Sequence, residues 1–219
     1  MSRRKDGVET RARILKIAGR LFAEKGYERT IFEEICDVAD VNTGAINYHF
    51  QSKENLYREA WRHAFQDSLS RHPIDGGVLN DAPAEERLRG RILSFMRRTA
   101  DPENIEFEIV HKEMANPSGL LAEVMRESLK PLRDDMLSIV RELLGEGATN
   151  CEIQLCEMSI MGQCLNPIIM HKKVSMRGKG MGAEPLFVFE DIDLESMAEH
   201  VTNFSLAGMR AIAAKFKNK

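Results

Sequence analysis

The stretch from Thr30 to Lys53, TIFEEICDVADVNTGAINYHFQSK, decides the fold of the N-terminal part of this chain. Thr30 and the glutamate three residues later form a capping box, so a helix is predicted to begin at Ile31. The apolar residues of this helix recur at spacings of three and four, which places them on one side: Ile35, Val38 and Ala39. The stretch therefore opens with a short amphipathic helix.

A second short helix is predicted after a tight turn. Asp40 breaks the apolar pattern, Asn42 is a good N-cap for the next helix, and Ile46 and Phe50 then fall on one side of it. The opposite side is small and polar near its N-terminus and carries or is flanked by Thr43, Gly44, Ala45, Asn47, Tyr48 and His49. Such a face can enter a DNA major groove about 12 Å wide and reach base edges. The pattern indicates a DNA-binding helix-turn-helix, with an ordinary corner between two helices as the alternative.

Length and charge limit the class of protein. A chain of 219 residues suits one or two domains, and 43% hydrophobic with 30% charged residues is ordinary for a globular protein. The formal net charge of −3 argues against a nonspecific coat for nucleic acid. Residues 1–30 nevertheless hold nine Lys and Arg against four Asp and Glu. One basic end on an acidic body is typical of a protein that touches phosphate with a single face.

The sequence predicts neither a membrane span nor an oxidised or metal-bound cysteine site. It has no apolar run of 18 residues, and its first residues, MSRRKDGVETR, lack the apolar core of a signal peptide. Four cysteines without CxxC spacing fall in predicted helices: Cys36, Cys151, Cys156 and Cys164. We expect reduced core thiols in a cytoplasmic protein.

The residues that flank the helix-turn-helix add further expectations. Ser2–Glu9 is predicted to be a polar arm that can lie along a phosphate strand or in a minor groove. A first helix with one apolar face ends at Gly26, which is a common helix C-cap. Ser52 is the predicted N-cap of a fourth helix, with Lys53 in its first turn. The backbone N–H groups and the lysine together form a predicted phosphate site.

The rest of the chain has helical periodicity. Helices are predicted at 83–99 and 103–115, and a long helix follows from Asn116 as N-cap and Pro117 at the first position. Pro131 should kink or split that helix. Thr149–His171 is apolar on almost every side, so it must be buried on two faces. A Lys/Gly-rich loop at 171–182 and the extended-looking PLFVF at 185–189 lead to a last helix capped by Asp193.

Five blocks of sequence resemble one family. LFAEKGYERT (21–30) and INYHFQSKENLY (46–57) are similar to the N-terminal domain of TetR-family transcriptional regulators. FEIVHKEMANPSG (107–119), SIMGQC (159–164) and AEHVTNFSLAGMRAI (198–212) resemble the C-terminal domain of the CecR/YbiH-type branch. The resemblance implies an all-α protein with a three-helix helix-turn-helix DNA-binding domain at 1–55 and a helical ligand-binding and dimerisation domain at 56–219. It also implies a homodimer, joined by its last two long helices, on a palindromic double-stranded operator.

The resemblance assigns roles within the helix-turn-helix. Tyr48, His49, Lys53 and Thr30 are expected to contact phosphate, whereas Thr43, Ala45 and Asn47 are expected to face bases. This sequence departs from the family pattern at two places. Asp40 stands where the turn usually has glycine, and aspartate tolerates a left-handed conformation better than most residues. Asn47 stands where tyrosine is usual, and asparagine can pair with adenine N7 and N6.

The resemblance also implies an effector pocket among the helices from Arg58 to Asn166. Its apolar wall would consist of Phe65, Phe95, Phe107, Met114, Met125 and Met136, although the same residues would suit a plain core. Four polar side chains fit a plain core poorly, because buried polar groups need partners: Glu108, His111, Gln163 and Asn166. The mixture suits a small-molecule effector that is mainly apolar, with one or two polar groups.

Other classes of function have little support in the sequence. GxSxG, P-loop, HExxH and GxGxxG motifs are absent from it, and His111 with Glu108 or Glu113 is typical of a local ion pair. We therefore expect neither an enzyme nor a cofactor. A TetR-shaped architectural or division-linked DNA binder without a ligand stays open as the alternative to an effector-responsive regulator.

Overall fold

The computed structural model describes residues 2–177 and 193–217, which contain nine α-helices and no β-strand. The helices are α1 (Ser2–Lys25), α2 (Phe32–Ala39), α3 (Thr43–Phe50), α4 (Lys53–Arg71), α5 (Ala84–Ala100), α6 (Glu106–Ala115), α7 (Ala122–Leu144), α8 (Asn150–Arg177) and α9 (Leu194–Lys217). The predicted all-α class is confirmed.

The chain divides into two compact units. One comprises Met1–Arg71 with Pro102–Lys130, and the other comprises His72–Asp101 with Pro131–Lys219. α7 contributes to both units, since the division falls within it. The functional boundary predicted at residue 55 is a different kind of division and stays a prediction.

In the first unit, α1 packs against α2, α4 and α6. The apolar stripe predicted on α1 is buried: Ile14, Leu15, Ala18, Leu21 and Phe22. Gly26 ends α1 as predicted. It adopts φ +79°, and its N–H donates to the Phe22 carbonyl at 2.8 Å, which is a left-handed helix terminus. This packing forms the support on which the short helices α2 and α3 rest.

In the second unit, α5, α8 and α9 pack against one another. Leu88, Ile92, Ile139, Val140 and Ile160 lie in its core, each at most 1% exposed. α8 begins with a capping box that the sequence analysis missed: the Glu152 carboxylate accepts from the Thr149 N–H at 2.9 Å, and the Thr149 hydroxyl accepts from the Glu152 N–H at 3.3 Å. The predicted cap of α9 is confirmed, because Asp193 accepts from the Ser196 N–H at 2.8 Å.

Several predicted boundaries are wrong. α1 already begins at Ser2, where a polar arm was predicted, and α6 begins at Glu106 rather than at 103. α7 begins at Ala122, so Asn116 is not its N-cap. Nor does Pro131 split α7: the helix is continuous through it. Pro131 is exposed, so the carbonyl that loses its helical partner lies on a side that water can reach.

The cysteines follow the prediction with one exception. Cys36, Cys156 and Cys164 are buried, whereas Cys151, in the first turn of α8, is exposed. Burial raises the pKa of the Cys164 thiol to about 12, so that thiol stays protonated near neutral pH. The prediction that all four thiols lie in the core is therefore wrong for Cys151.

The loop predicted at 171–182 is wrong for 171–177, because α8 continues to Arg177. The rest of that predicted loop, 178–182, and the PLFVF segment lie outside the described residues. Within the described part of the chain, no helix combines the length and the apolar character that a membrane crossing requires.

Candidate nucleic-acid interface

The turn between α2 and α3 has the geometry predicted for it. Asp40 is left-handed, with φ 50° and ψ 57°. Its N–H lies 3.4 Å from the Asp37 carbonyl, and the Val41 N–H donates to the Cys36 carbonyl at 3.1 Å. Two carbonyls at the end of α2 are thereby satisfied, which is the usual function of a left-handed terminus. Aspartate supplies here the conformation for which glycine is the common choice.

The N-terminus of α3 is capped as predicted. Asn42 has an extended backbone, and its side-chain oxygen accepts from the Ala45 N–H at 2.9 Å. Two side chains on the inner face of α3 hold it in place, since Ile46 and Phe50 are both fully buried. Their burial fixes which face of α3 points outward.

The outward face of α3 carries the residues that the sequence predicted for it. Thr43, Gly44 and Asn47 are exposed, and Tyr48 is 83% exposed. Ala45 and His49 are half-buried at the two edges of this face. The predicted direction of the face is confirmed, while the contacts of its residues with bases and phosphates stay predictions.

The junction between α3 and α4 is a tight turn that the sequence analysis missed. Gln51 adopts φ 66° and ψ −41°, and the Ser52 N–H donates to the Phe50 carbonyl at 2.7 Å, which closes a three-residue γ-turn. The same carbonyl accepts from the Asn55 side-chain nitrogen at 3.1 Å. A positive φ is strained for a glutamine, and the glutamine side chain gives no reason to predict a positive φ from the sequence. The turn sets α4 directly after α3.

The N-terminus of α4 carries a positively charged side chain, Lys53. The Ser52 hydroxyl oxygen accepts from the Asn55 N–H at 3.2 Å, so the predicted cap is confirmed. The Lys53 ammonium lies 4.3 Å from the centroid of the Tyr27 ring, which is cation–π range. Backbone N–H groups at a helix start, together with a positioned ammonium, make a site suited to a phosphate. The support from Tyr27 was not foreseen from the sequence.

Tyr27 is tied to α4 by a second contact. Its hydroxyl donates to the Glu54 carboxylate at 3.1 Å. Partial burial, and then this bond to Glu54, raise the pKa of Tyr27 to about 12. The pKa of Glu54 is lowered, first by its own backbone N–H at the helix start and then by Ser52 and Tyr27. At neutral pH the phenol therefore donates and the carboxylate accepts.

The capping role predicted for Thr30 is wrong. α2 begins at Phe32, and its N-cap residue Ile31 makes no side-chain capping bond. Thr30 is fully buried, and its hydroxyl donates to the Gly26 carbonyl at 2.9 Å. The hydroxyl closes the end of α1 instead of the start of α2. The Thr30 side chain is turned inward and is not part of the proposed interface.

The residues predicted to line an effector pocket are divided between the two units. In the first unit, Phe65 is buried, Phe107, Glu108 and Met125 are half-buried, His111 is exposed and Met114 is 78% exposed. In the second unit, Met136 belongs to the core and Phe95 packs against it, while Gln163 is half-buried and Asn166 is exposed. Glu108, His111, Gln163 and Asn166 are therefore not buried as predicted, and Gln163, for example, donates to the Ser159 carbonyl within its own helix.

Gln163 and Asn166 instead line an open groove between α8 and α9. The groove has a volume of about 880 Å³, and Met158, Met197 and Phe204 form much of its apolar wall. Leu155, Met158 and Phe204 are large apolar side chains that are at least half exposed. The prediction that α8 is buried on two faces is met on one face only in the single chain, because the other face is open.

Sequence and structure comparisons agree with this architecture. Residues 84–209, more than half of the chain, match the family described as "HTH-type transcriptional dual regulator CecR, C-terminal domain". Residues 14–60 match "Bacterial regulatory proteins, tetR family". The chain belongs to the TetR family. It is a DNA-binding transcription regulator with a CecR-type C-terminal domain, and the family consists of regulators rather than enzymes.

Individual relatives of this TetR-family regulator match it over different lengths. The "Probable acrEF/envCD operon repressor" of Escherichia coli (strain K12) is 23% identical over 180 residues, which cover 79% of this chain and 80% of the relative. The "HTH-type transcriptional regulator AcrR" of Shigella flexneri is 41% identical over 58 residues, which cover 26% of this chain and 27% of that relative. The stronger identity is thus confined to a short segment.

Solved structures share the fold of this TetR-family regulator. AibR in complex with isovaleryl coenzyme A and operator DNA has a TM-score of 0.60 at 20% identity, over 89% of this chain and 97% of AibR. PfmR from Thermus thermophilus has a TM-score of 0.59 at 18% identity, over 89% of this chain and 97% of PfmR.

The left-handed turn leads to a test. Asp40→Val places a β-branched residue at positive φ and should lower stability by about 1–2 kcal/mol, whereas Asp40→Gly should cost nothing. Asp37→Val is the matched control, because it makes the same change at an exposed helical position, where Asp and Val have similar propensities. Melting followed by circular dichroism measures the difference. Equal melting temperatures for the two valine variants would contradict a left-handed Asp40.

Proposed function

We propose that this TetR-family regulator is a repressor that binds a palindromic operator as a homodimer and releases it when a small, largely apolar molecule binds. The observation that carries the DNA-binding part is the arrangement at α3 and α4. An Asn42-capped helix presents Asn47 and Thr43 outward, and Lys53 follows at the start of the next helix. One helix is thereby available for base edges and one helix terminus for phosphate.

Bases and phosphates are assigned to different residues. Asn47, Thr43 and Ala45 belong to the part of α3 that enters the groove, where an amide can pair with adenine N7 and N6. Tyr48, His49 and Lys53 lie at the end of α3 and the start of α4. They carry hydroxyl, imidazole and ammonium groups suited to phosphate oxygens. Gly44 lies between the base-facing residues Thr43 and Ala45, and because it has no side chain it leaves room for the DNA.

The open faces of α8 and α9 support a homodimer. Leu155, Met158 and Phe204 expose apolar surface that a second copy would remove from water. Gly162 on α8 and Gly208 on α9 have no atom within 4 Å of the Cβ that a larger residue would add. Small residues between apolar ones allow helices of two subunits to approach closely. A two-fold dimer would present two recognition helices to an operator with the same symmetry.

Effector control is supported by relatives and by the first unit of this chain. The E. coli relative is named a repressor, and AibR was solved with an acyl coenzyme A and operator DNA. α4 and α6 contact each other here, and they carry Phe65 and Phe107. α4 also begins at Lys53, so a ligand that moves α4 acts on the proposed phosphate site. To change the populations of two states from 1:99 to 99:1, ligand binding must favour one state by about 5.5 kcal/mol.

In vitro selection from a random duplex library tests DNA binding and supplies a probe. We expect an inverted repeat. With the selected duplex, Asn47→Ala should relax preference at one base position of each half-site by about 1–3 kcal/mol, because it removes a base contact in each subunit. Lys53→Gln should weaken binding to all sequences and reduce the salt slope by about two for the dimer, because each of the two subunits loses one phosphate contact. If Asn47→Ala weakened the selected and random duplexes equally, Asn47 would not be a base reader.

Dimerisation is tested by Gly162→Trp. The single chain has space at this position, so the variant should fold, but the indole should obstruct a second copy and give monomers in light scattering. Gly7→Trp is the matched control, since Gly7 is also a helical glycine with no atom within 4 Å of the added Cβ. A Gly162→Trp protein that stays dimeric would place the interface elsewhere.

Effector control is tested by a thermal-shift screen of hydrophobic small molecules, followed by titration of the selected duplex with each hit. We expect hits that raise the melting temperature to weaken DNA binding, because they stabilise the state that does not fit the operator. Met125→Gln, at a half-buried position, should reduce the affinity for such hits, and Met114→Gln, at an exposed one, should not. Hits that raise the melting temperature but leave DNA affinity unchanged would favour the architectural alternative.

A further inference from the structure

The Glu113 carboxylate, near the end of α6, is the centre of a hydrogen-bond cluster. Its Oε1 accepts from the Ser118 N–H at 3.0 Å and from the Gly119 N–H at 2.9 Å. The Ser118 hydroxyl lies 2.9 Å from both carboxylate oxygens. The Tyr57 hydroxyl donates to Oε2 at 3.1 Å. One side chain therefore holds together the segment after α6 and a residue of α4.

The segment from Asn116 to Leu121 has no helix of its own, so its backbone groups need partners from elsewhere. Glu113 supplies acceptors for two of its N–H groups. Arg58 of α4 supplies a donor, since its Nε bonds the Leu120 carbonyl at 3.1 Å. Successive residues of α4, Tyr57 and Arg58, thus hold the same connection between α6 and α7. Charged partners make these bonds stronger than neutral ones.

Tyr57 links this cluster to the proposed phosphate site. Its side chain is fully buried, and its ring lies 4.7 Å from the Phe22 ring and 5.1 Å from the Tyr27 ring, measured between centroids. Burial, and then the charge of Glu113, raise the pKa of Tyr57, so its hydroxyl remains a donor. Tyr27 in turn lies under the Lys53 ammonium. There is therefore a continuous series of contacts from Glu113 through Tyr57 and Tyr27 to Lys53.

We propose that Glu113 is a positioning residue for DNA binding: by holding the Tyr57 hydroxyl it fixes the Tyr57 and Tyr27 rings, and these hold the Lys53 ammonium where an operator phosphate will lie. The proposal rests on the phosphate role of Lys53 given above. A glutamine at position 113 has a single acceptor oxygen; when that oxygen serves the Ser118 and Gly119 N–H groups, the amide NH2 faces the buried Tyr57 hydroxyl, which loses its acceptor and must shift to find one. The ring of Tyr27 and the ammonium over it then lose their fixed position.

A purely structural role for Glu113 makes a different prediction. If the carboxylate only braces the segment 116–121, its loss lowers the melting temperature but does not change the number of phosphates that the protein neutralises. That number is measured by the slope of the logarithm of affinity against the logarithm of salt concentration, about −0.9 for each phosphate on duplex DNA. The slope therefore separates positioning of Lys53 from general stability.

The experiment measures the affinity of the full chain for the selected duplex by fluorescence anisotropy at several salt concentrations. Glu113→Gln should reduce the slope by up to about two for the dimer, as Lys53→Gln does, although residue 113 makes no proposed contact with DNA. The double variant should have the same slope as Lys53→Gln alone. Glu127→Gln is the matched control, because it removes the same charge from an exposed position in the same unit and should leave the slope unchanged.

Tyr57→Phe tests the same path without disturbing the bonds to Ser118 and Gly119, and it serves if Glu113→Gln fails to fold. It should reduce the slope in the same direction. A lowered melting temperature with an unchanged slope in both variants would overturn the proposal and leave Glu113 as a brace. An equal effect of Glu127→Gln would overturn it too, because the cause would then be net charge. If Lys53→Gln itself left the slope unchanged, the phosphate role of Lys53 would fail first.

Discussion

The proposed recognition helix α3 has eight residues, too few to be stable alone in water. It depends on the burial of Ile46 and Phe50, each worth about 1.5–3 kcal/mol when taken fully from water. Burial of these two side chains does more than stabilise the helix. Because they occupy one side of α3, Thr43, Asn47 and Tyr48 point outward, and the proposed DNA-binding surface depends on this burial.

Local hydrogen bonds fix both ends of α3. Asp40 in a left-handed conformation starts the turn, and the Asn42 side chain closes the first turn of the helix. At the other end, Gln51 accepts a strained conformation so that Ser52 can cap α4 immediately afterwards. Strain of this kind persists only where the surroundings over-determine it. Here the Phe50 carbonyl accepts from the Ser52 N–H and from the Asn55 side chain, and these two bonds hold the turn.

The second unit has a different physical character. Within one chain, buried residues of α5, α7, α8 and α9 form its core, yet one face of α8 and α9 leaves large apolar side chains in contact with water. Exposed surface of that kind is unfavourable for an isolated protein and useful for one that associates. The small residues Gly162 and Gly208 on the same helices fit association as well, since a glycine inside a helix otherwise only lowers its stability.

The amino-acid sequence by itself determined the local features of this protein. Capping by Asn42, Ser52 and Asp193, the end of α1 at Gly26 and the outward face of α3 could all be predicted, because each depends on residues within a few positions of one another. The same local reasoning placed a cap at Thr30 and a helix start at Asn116, where the residues suit a cap but other bonds compete for them.

Only the tertiary structure decided which of these local possibilities was realised. The Thr30 hydroxyl bonds the end of α1 because packing buries it there, and Glu113 holds the segment after Asn116 in a non-helical path that its sequence does not announce. Tyr27 lies under Lys53, and Tyr57 lies between Tyr27 and Glu113, although Tyr57 and Glu113 are 56 positions apart. Contacts at such separations follow from how helices pack, and no spacing or propensity in the sequence encodes them directly.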